Sequence, residues 1–165
     1  MNTRKLVLIG LFIAISFVGA QIKIVYSIAF DSMPAFAAAL LLGPVPGAIV
    51  GFLGHMLTSL TSGFPFTIPV HLLIGVSMGA ICWLFGKLNQ KVPGFLNAAI
   101  AILLNGIGAT FISVYAMFIL GIIPSWNQLF FSLVGVLTLA STINVLVAVV
   151  LDKIIGNTGL IGQRS

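Results

Sequence analysis

Two long stretches without any charged side chain constrain the fold of this chain more than any other feature. One lies between Asp31 and Lys87, and the other between Lys91 and Asp152. Each is far longer than the roughly 20 apolar residues that cross a bilayer once, so each must contain several spans. Spanning segments are helices or closed barrels, and the alternating pattern of barrel strands is absent. The sequence predicts an all-helical membrane protein.

The composition supports this fold class. Only 5% of the 165 residues are charged, whereas a soluble domain carries about 25%. The seven Lys and Arg residues are dispersed beside apolar segments, so we interpret them as topology signals and expect no nucleic-acid partner. Cys82 is the single cysteine, which excludes a disulfide framework and a thiolate metal cage.

Clusters of glycine, proline and polar residues divide the chain into six predicted helices. They cover about residues 6–25, 33–43, 46–62, 68–86, 95–120 and 127–151 and form one integral membrane domain, residues 1–165. The second helix, at about eleven residues or roughly 16 Å, is too short to span alone. We expect it to be sheltered by its neighbours or to form a broken element beside a cavity.

The positions of the cations predict the orientation. With six spans, every Lys and Arg except Lys23 falls on one side, which the positive-inside rule identifies as the cytoplasm. A five-helix alternative would move Lys153 and Arg164 outside and weaken this bias. Arg4 and Lys5 precede an apolar run that resembles a signal peptide but lacks a convincing cleavage site, so we expect a retained first helix. The chain is expected in the plasma membrane with both termini in the cytoplasm.

Polar side chains at membrane depth are the candidate functional residues, because each is costly unless it is satisfied. We expect His55 and Asn105 near mid-depth and His71 in the outer turn of the fourth helix. Asn144 falls in the inner half, where an interhelical hydrogen bond is the favoured interpretation. The other candidates converge on the outer half and predict a substrate pocket there: Asp31, Thr58, Phe64, Phe66, Tyr115, Trp126 and Asn127.

Structural roles are open for several of these candidates. Trp126 could belong to the aromatic belt at the membrane interface, and Asp31 could cap the second helix. A lone membrane histidine is structural about as often as it is functional, but two in neighbouring helices favour function. Asn105 lies roughly on the same predicted helix face as Tyr115, which places both at the expected pocket.

Enzymatic chemistry finds little support. The chain contains no Glu and no G-x-S-x-G, H-E-x-x-H or Walker sequence, so we expect neither catalysis nor ATP hydrolysis, and no cofactor or metal. One alternative is a membrane cytochrome with haem between His55 and His71, although the two residues are expected at different depths. Another alternative is a structural or assembly protein that binds no ligand.

The segment from Ala37 to Gly54 reads A-A-A-L-L-L-G-P-V-P-G-A-I-V-G-F-L-G and resembles the substrate-binding (S) components of energy-coupling-factor (ECF) vitamin transporters. The length and the six predicted helices are also similar. The resemblance implies a subunit that captures a vitamin-like small molecule at its outer face. It also implies docking on a transmembrane coupling subunit that works with two ATPase subunits. Gly10 and Ala14 match the spacing of the family's A-x-x-x-A docking pattern, with glycine in place of the first alanine.

The segment from Gly54 to His71 reads G-H-M-L-T-S-L-T-S-G-F-P-F-T-I-P-V-H and is similar to members assigned to α-ribazole, the dimethylbenzimidazole nucleoside used in cobamide salvage. Many other members have an acidic residue where His55 stands. Aromatic side chains suit a planar base, and imidazole and amide groups suit ring nitrogens and ribose hydroxyls. The same groups would fit riboflavin, pantothenate or cobalamin, which are the alternative substrates.

Overall fold

The computed structural model describes residues 2–21 and 31–156, which form six helices. Four of them are long and apolar enough to cross a membrane: Thr3–Gln21, Ile68–Leu88, Gly94–Ile119 and Trp126–Gly156. The predicted all-helical membrane fold with a short second helix is confirmed. The helices are α1 (Thr3–Gln21), α2 (Met33–Leu41), α3 (Pro44–Thr61), α4 (Ile68–Leu88), α5 (Gly94–Ile119) and α6 (Trp126–Gly156).

Each described helix end lies within three residues of its predicted position, except the end of α6. α6 continues to Gly156 instead of ending near residue 151, because no glycine or proline occurs between Gly135 and Gly156. The predicted end of the first helix, near residue 25, lies outside the described residues. α5 also contains a π-helical segment, Leu103–Gly108, which the sequence analysis did not predict. Two glycines in this segment lower its preference for a regular α-helix.

The short helix α2 occupies the middle of the bundle. It packs against α1, α3, α4 and α6, and Phe36, Ala37 and Ala38 are completely buried. The Phe36 ring meets the ring of Phe85 on α4 edge-on, with ring centroids 5.4 Å apart. A helix of nine residues is only about 14 Å long and cannot reach both membrane surfaces. The neighbouring helices therefore shield its ends from lipid.

Two glycines allow α3 and α4 to approach α2 at the same level. A Cβ atom on Gly47 would lie 2.5 Å from the Cβ of Ala39, and one on Gly86 would lie 3.0 Å from the carbonyl oxygen of Ala39. Both distances are too short for any larger side chain. Gly43, with φ of +105°, makes the tight turn from α2 into α3, a conformation that favours glycine.

The end of the bundle near Gly47 and Gly86 also carries the cations of the described helices, so we call it the basic end. We call the half of the bundle away from it the distal half. Lys87 follows Gly86, and Asn97 near the start of α5 donates a hydrogen bond of 2.9 Å to the carbonyl oxygen of Phe85. α6 runs antiparallel to α5, so Lys153 lies at the same end. Ile9 of α1 belongs to the core cluster around α2, which places the start of α1 there as well.

The start of α2 is tied to α6 well inside the bundle. The backbone N–H of Met33 donates to Oδ1 of Asn144 over 2.9 Å, so the predicted interhelical role of Asn144 is confirmed. Met33 precedes Ala39 by six residues in α2, so it lies about 9 Å further from the basic end than Ala39 does. Asp31 therefore lies near mid-depth and half-buried, and its predicted place at the outer end is wrong.

α2 fills the middle of the bundle only in the half next to the basic end. Beyond the level of Gly47 and Gly86, α3 continues for about 21 Å and α4 for about 27 Å, whereas α2 continues for about 9 Å. In residues 2–21 and 31–156, no helix takes the place of α2 in the distal half. The architecture thus leaves the centre of that half free of any described helix.

Gly47→Ala tests the close contact between α2 and α3. The added methyl group would overlap Ala39, so we expect a loss of about 2 kcal/mol in the free energy of unfolding, as overpacking typically costs. The measurement is thermal unfolding in detergent. Gly135→Ala is the matched control, since a Cβ there meets nothing within 4 Å; its midpoint should stay the same or rise slightly. Equal effects of the two changes would contradict this packing.

Candidate functional site

α3 and α4 bring two imidazoles and a hydroxyl together in the distal half. Nε2 of His55 lies 3.3 Å from Nδ1 of His71. The Oγ atom of Ser59 lies 3.2 Å from the first nitrogen and 2.9 Å from the second. We call these three residues the histidine cluster. The difference in depth that the sequence predicted for the two histidines does not keep their imidazoles apart. Ser59 and His71 lie one turn inside the ends of an antiparallel helix pair, and His55 lies one turn deeper, within reach of an imidazole.

The hydrogen bonds of the histidine cluster limit its protonation. A neutral imidazole carries one N–H, and a hydroxyl has one proton to donate. The Ser59 hydroxyl also lies 2.8 Å from the carbonyl oxygen of His55 in its own helix, so its one proton goes either to that oxygen or to an imidazole nitrogen. The direct contact between the two imidazoles requires that one of the facing nitrogens carries a proton and the other does not. The outward nitrogen of His71 is then a donor when His55 donates to Nδ1, and an acceptor in the reverse case.

The second nitrogen of His71 is buried and makes no hydrogen bond with any described residue. His71 is only 7% exposed, and Nε2 has no partner within residues 2–21 and 31–156. Leaving such a group unpaired costs about 1–3 kcal/mol, and unpaired buried polar atoms are rare in native proteins. This nitrogen therefore marks a position where a polar group of a ligand would be satisfied.

Two phenylalanines enclose the His71 ring. Phe66 stacks on it with an interplanar angle of 22° and centroids 6.2 Å apart, and Phe64 meets it at 5.7 Å with the planes at 63°. Phe64 has φ of +49°, which is uncommon for a residue with a side chain. Its N–H donates to the carbonyl oxygen of Ser59 over 2.9 Å. A strained backbone of this kind is often found at functional sites.

Thr58 lies beside this group without joining it. Its hydroxyl donates to the carbonyl oxygen of Gly54 over 3.0 Å, which leaves the lone pairs of its oxygen able to accept. The structure thus brings His55, His71, Phe64 and Phe66 together, as the sequence predicted, with Thr58 one turn from Gly54. Ser59 was missed. Its position four residues after His55, on the same helix face, is the signal that could have identified it.

Tyr115 and Trp126 belong to a different aromatic cluster, between α5 and α6. Their ring centroids are 6.4 Å apart, and Phe111 stacks on Tyr115 at 5.5 Å. Tyr115 is 41% exposed. In the described part of the chain no ring contact joins this cluster to His71, so the structure does not bring these candidates together with the histidines.

Asn127 and Asn105 have local partners. Asn127 is exposed, and its Oδ1 accepts from the backbone N–H of Gln128 over 2.8 Å and from the Ser125 hydroxyl, which organises the start of α6. Nδ2 of Asn105 donates to Oγ of Ser141 on α6 over 3.1 Å. Asn105 thus makes an interhelical bond, and it lies in the π-helical segment of α5.

The histidine cluster does not fit a haem bound between two axial histidines. Such a site needs the two imidazole nitrogens on opposite faces of a porphyrin. Here the nitrogens of His55 and His71 are in direct contact, and Ser59 lies within hydrogen-bonding distance of both. No porphyrin plane fits between them in this arrangement.

One side of α1 is uncovered. Gly10 and Ala14 are exposed, and a Cβ added to Gly10 would meet nothing within 4 Å. Val7 and Val18 extend the same apolar face and are 65% and 60% exposed. We call this surface the α1 face. It is available for contact with lipid or with another protein.

The comparison with protein families identifies one match. The family model described as "ECF transporter, substrate-specific component" matches residues 4–156, which is most of the chain. Searches of curated proteins and of solved structures found no match.

A double-mutant cycle between Asn105 and Ser141 measures whether their contact is structural. Hydrogen bonds between membrane helices contribute about 0.6 kcal/mol on average, so we expect a coupling free energy of about that size from Asn105→Ala, Ser141→Ala and the double variant. The readout is reversible unfolding in mixed micelles. Additive effects of the two changes, within about 0.3 kcal/mol, would show that the bond contributes nothing.

Proposed function

Because this chain belongs to the family of ECF transporter substrate-specific components, we propose that it captures α-ribazole in its distal half. The family makes it a membrane-bound transporter subunit and not an enzyme. Family membership also implies a small-molecule substrate and partner subunits that span the membrane and hydrolyse ATP. The observation that carries the substrate site is the buried Nε2 of His71, which has no hydrogen-bond partner among the described residues and whose ring contacts two phenylalanine rings.

The proposed site uses the space that α2 leaves in the distal half. His71 faces the same side of α4 as Met78 and Phe85, which pack in the core near α2. The His71 ring therefore lies on the inner side of α4, in the distal half and further from the basic end than these core residues. A ligand there would be covered by protein on most sides, which is how small-molecule sites bury their ligands.

The hydrogen-bond chain suits a benzimidazole nucleoside. Its ring has one nitrogen with a free lone pair, and that nitrogen would accept from Nε2–H of His71. This requires Nδ1 of His71 to be an acceptor. The Ser59 hydroxyl, 2.9 Å away, then donates its proton to Nδ1, and Nε2–H of His55 donates to the Ser59 oxygen or to Nδ1 itself. Phe66 and Phe64 supply the aromatic surfaces for the planar base. No charged ligand group is needed for these contacts.

The remaining candidates are proposed to contact the ribose or to cover the ligand. Asp31, near mid-depth, and Thr58 can accept hydrogen bonds from ribose hydroxyls. A carboxylate at this depth is costly unless it has such partners. Four other candidates lie on the α5 and α6 side of the bundle and would contact the ligand from there: Asn105, Tyr115, Trp126 and Asn127.

We propose that the basic end faces the cytoplasm, because cationic residues are retained on that side of the plasma membrane. Both termini are then cytoplasmic, the chain forms one membrane domain over residues 1–165, and the histidine cluster lies nearer the cell exterior. The α1 face, with Gly10 and Ala14, is the proposed contact with the transmembrane coupling subunit. Small residues at such a surface allow close approach of a partner helix.

Calorimetric titration of the purified protein with α-ribazole tests the substrate proposal. His55→Ala and His71→Ala should each weaken binding by about 1–3 kcal/mol, since each removes one hydrogen bond of a buried chain. Gln128→Ala, an exposed polar residue at the same end of the bundle, is the control and should bind like the unmodified protein. Unchanged affinity in both histidine variants would refute the assigned site.

The same titration with riboflavin, pantothenate and cobalamin tests the choice of α-ribazole separately from the role as a transporter subunit. Binding of one of these and not of α-ribazole would refute the nucleoside proposal while leaving the transporter role intact. If none of the four ligands shifts the thermal midpoint or produces heat, the proposal that the histidine cluster binds a vitamin-like molecule is refuted.

Gly10→Leu and Ala14→Leu test the α1 face. Each adds a bulky side chain where close helix contact is proposed, so we expect at least about tenfold less co-purification with the coupling subunit and its ATPases, an effect of about 1.4 kcal/mol or more. Ligand affinity should not change, because the face lies away from the histidine cluster. Gly135→Leu, on an exposed part of α6, is the control. Normal assembly of both α1 variants would contradict this interface.

A further inference from the structure

An apolar groove runs along the membrane-facing side of α3 and α4, in the half of the bundle next to the basic end. Its volume is about 650 Å³. Its lining combines small residues with larger apolar side chains and includes Ala48, Phe52, Leu53, Val76, Ala80 and Trp83. None of them belongs to the histidine cluster or to the α1 face, so the proposed function does not account for this groove.

The groove together with the cation beyond it matches the depth of one leaflet of a bilayer. On α4 the groove runs from Val76 to Trp83, seven residues or about 10 Å, and Lys87 lies eleven residues from Val76, or about 16 Å. Half of a hydrocarbon core of about 30 Å is about 15 Å. A groove that follows a partner helix across the membrane would continue into the distal half, whereas this one ends near the middle.

The near end of the groove is cationic and aromatic. Nζ of Lys87 lies 5.6 Å from the centre of the Trp83 ring, and Lys91 follows in the exposed connection after α4. The sequence contains no acidic residue between Asp31 and Asp152, so neither α3 nor α4 carries a carboxylate to neutralise these cations. Trp83 also presents an indole N–H at the depth where tryptophan commonly meets lipid headgroups.

We propose that this groove binds one acyl chain of an anionic glycerophospholipid from the leaflet at the basic end. The chain lies on Ala48 and Ala80, and the phosphate is held by Lys87 and the indole N–H of Trp83. Apolar burial alone does not distinguish one phospholipid from another. Selectivity for an anionic lipid comes from the cation at the headgroup end, where a basic residue near the membrane surface attracts negative lipids.

Native mass spectrometry of the full chain, released from detergent, tests this site with two probes. They are phosphatidylglycerol and phosphatidylcholine with identical acyl chains. We expect one phosphatidylglycerol to bind with an apparent Kd about fivefold lower than that of phosphatidylcholine, as one basic residue contributes. Lys87→Gln should abolish most of this preference. Lys153→Gln, which removes an exposed cation at the same end from α6, should preserve it.

Ala80→Leu tests the groove itself, because the larger side chain would occupy the acyl-chain path. We expect it to weaken binding of both lipids, while the thermal midpoint without added lipid stays within the range of the Lys153→Gln control. If Ala80→Leu lowers the thermal midpoint as well as lipid binding, a second variant, Val76→Ala, is measured. This change enlarges the groove and should preserve the preference for phosphatidylglycerol.

Three results would overturn the lipid site. The first is equal binding of the two lipids to the unmodified protein. The second is a phosphatidylglycerol preference that survives both Lys87→Gln and Ala80→Leu, since the lipid would then bind elsewhere. The third is lipid binding that is unaffected by Ala80→Leu while assembly with the coupling subunit, or formation of a dimer, is lost, because the groove would then be a protein interface. None of these results depends on the substrate of the histidine cluster.

Discussion

The contact between α2 and the two glycines on α3 and α4 is the constraint on which the rest of the structure depends. A nine-residue helix cannot satisfy the length of a bilayer, so it persists only because its neighbours exclude lipid from it. Gly47 and Gly86 permit that exclusion by removing the side chains that would hold the helices apart. Asn144 then holds the first turn of α2 from the other side. Together these contacts position α2 in one half of the bundle and leave the other half to the histidine cluster.

Most of the fold could be predicted from the sequence, because lipid imposes strong rules on composition. The long uncharged stretches required several spans, and glycine and proline clusters located the ends of the helices within a few residues. The short second helix was predicted from the turn at Gly43 to Gly47. The π-helical segment was not predicted. Its two glycines weaken the local preference for an α-helix without specifying a π-helix, and the close approach of Gly106 to Thr138 on α6 is a tertiary feature.

The candidate site was predicted in part. His55, His71, Phe64 and Phe66 are close in sequence, on one helical hairpin, and counting turns was enough to suggest a common region. Counting turns did not identify the partners of Asn105 and Tyr115. Asn105 lies inside the π-helical segment, which changes the regular helical period that the prediction used. Their partners, Ser141 and Trp126, belong to α6.

The length of α2 has a consequence for what such a protein can hold. If the ligand rests above the start of α2, this helix is the floor of a well, and the number of its residues determines the depth of the well. One additional helical turn at Met33 would raise the floor by about 5.4 Å, roughly the width of a sugar ring, while the walls stayed in place. Related chains could therefore admit molecules of different height by lengthening or shortening a single buried helix.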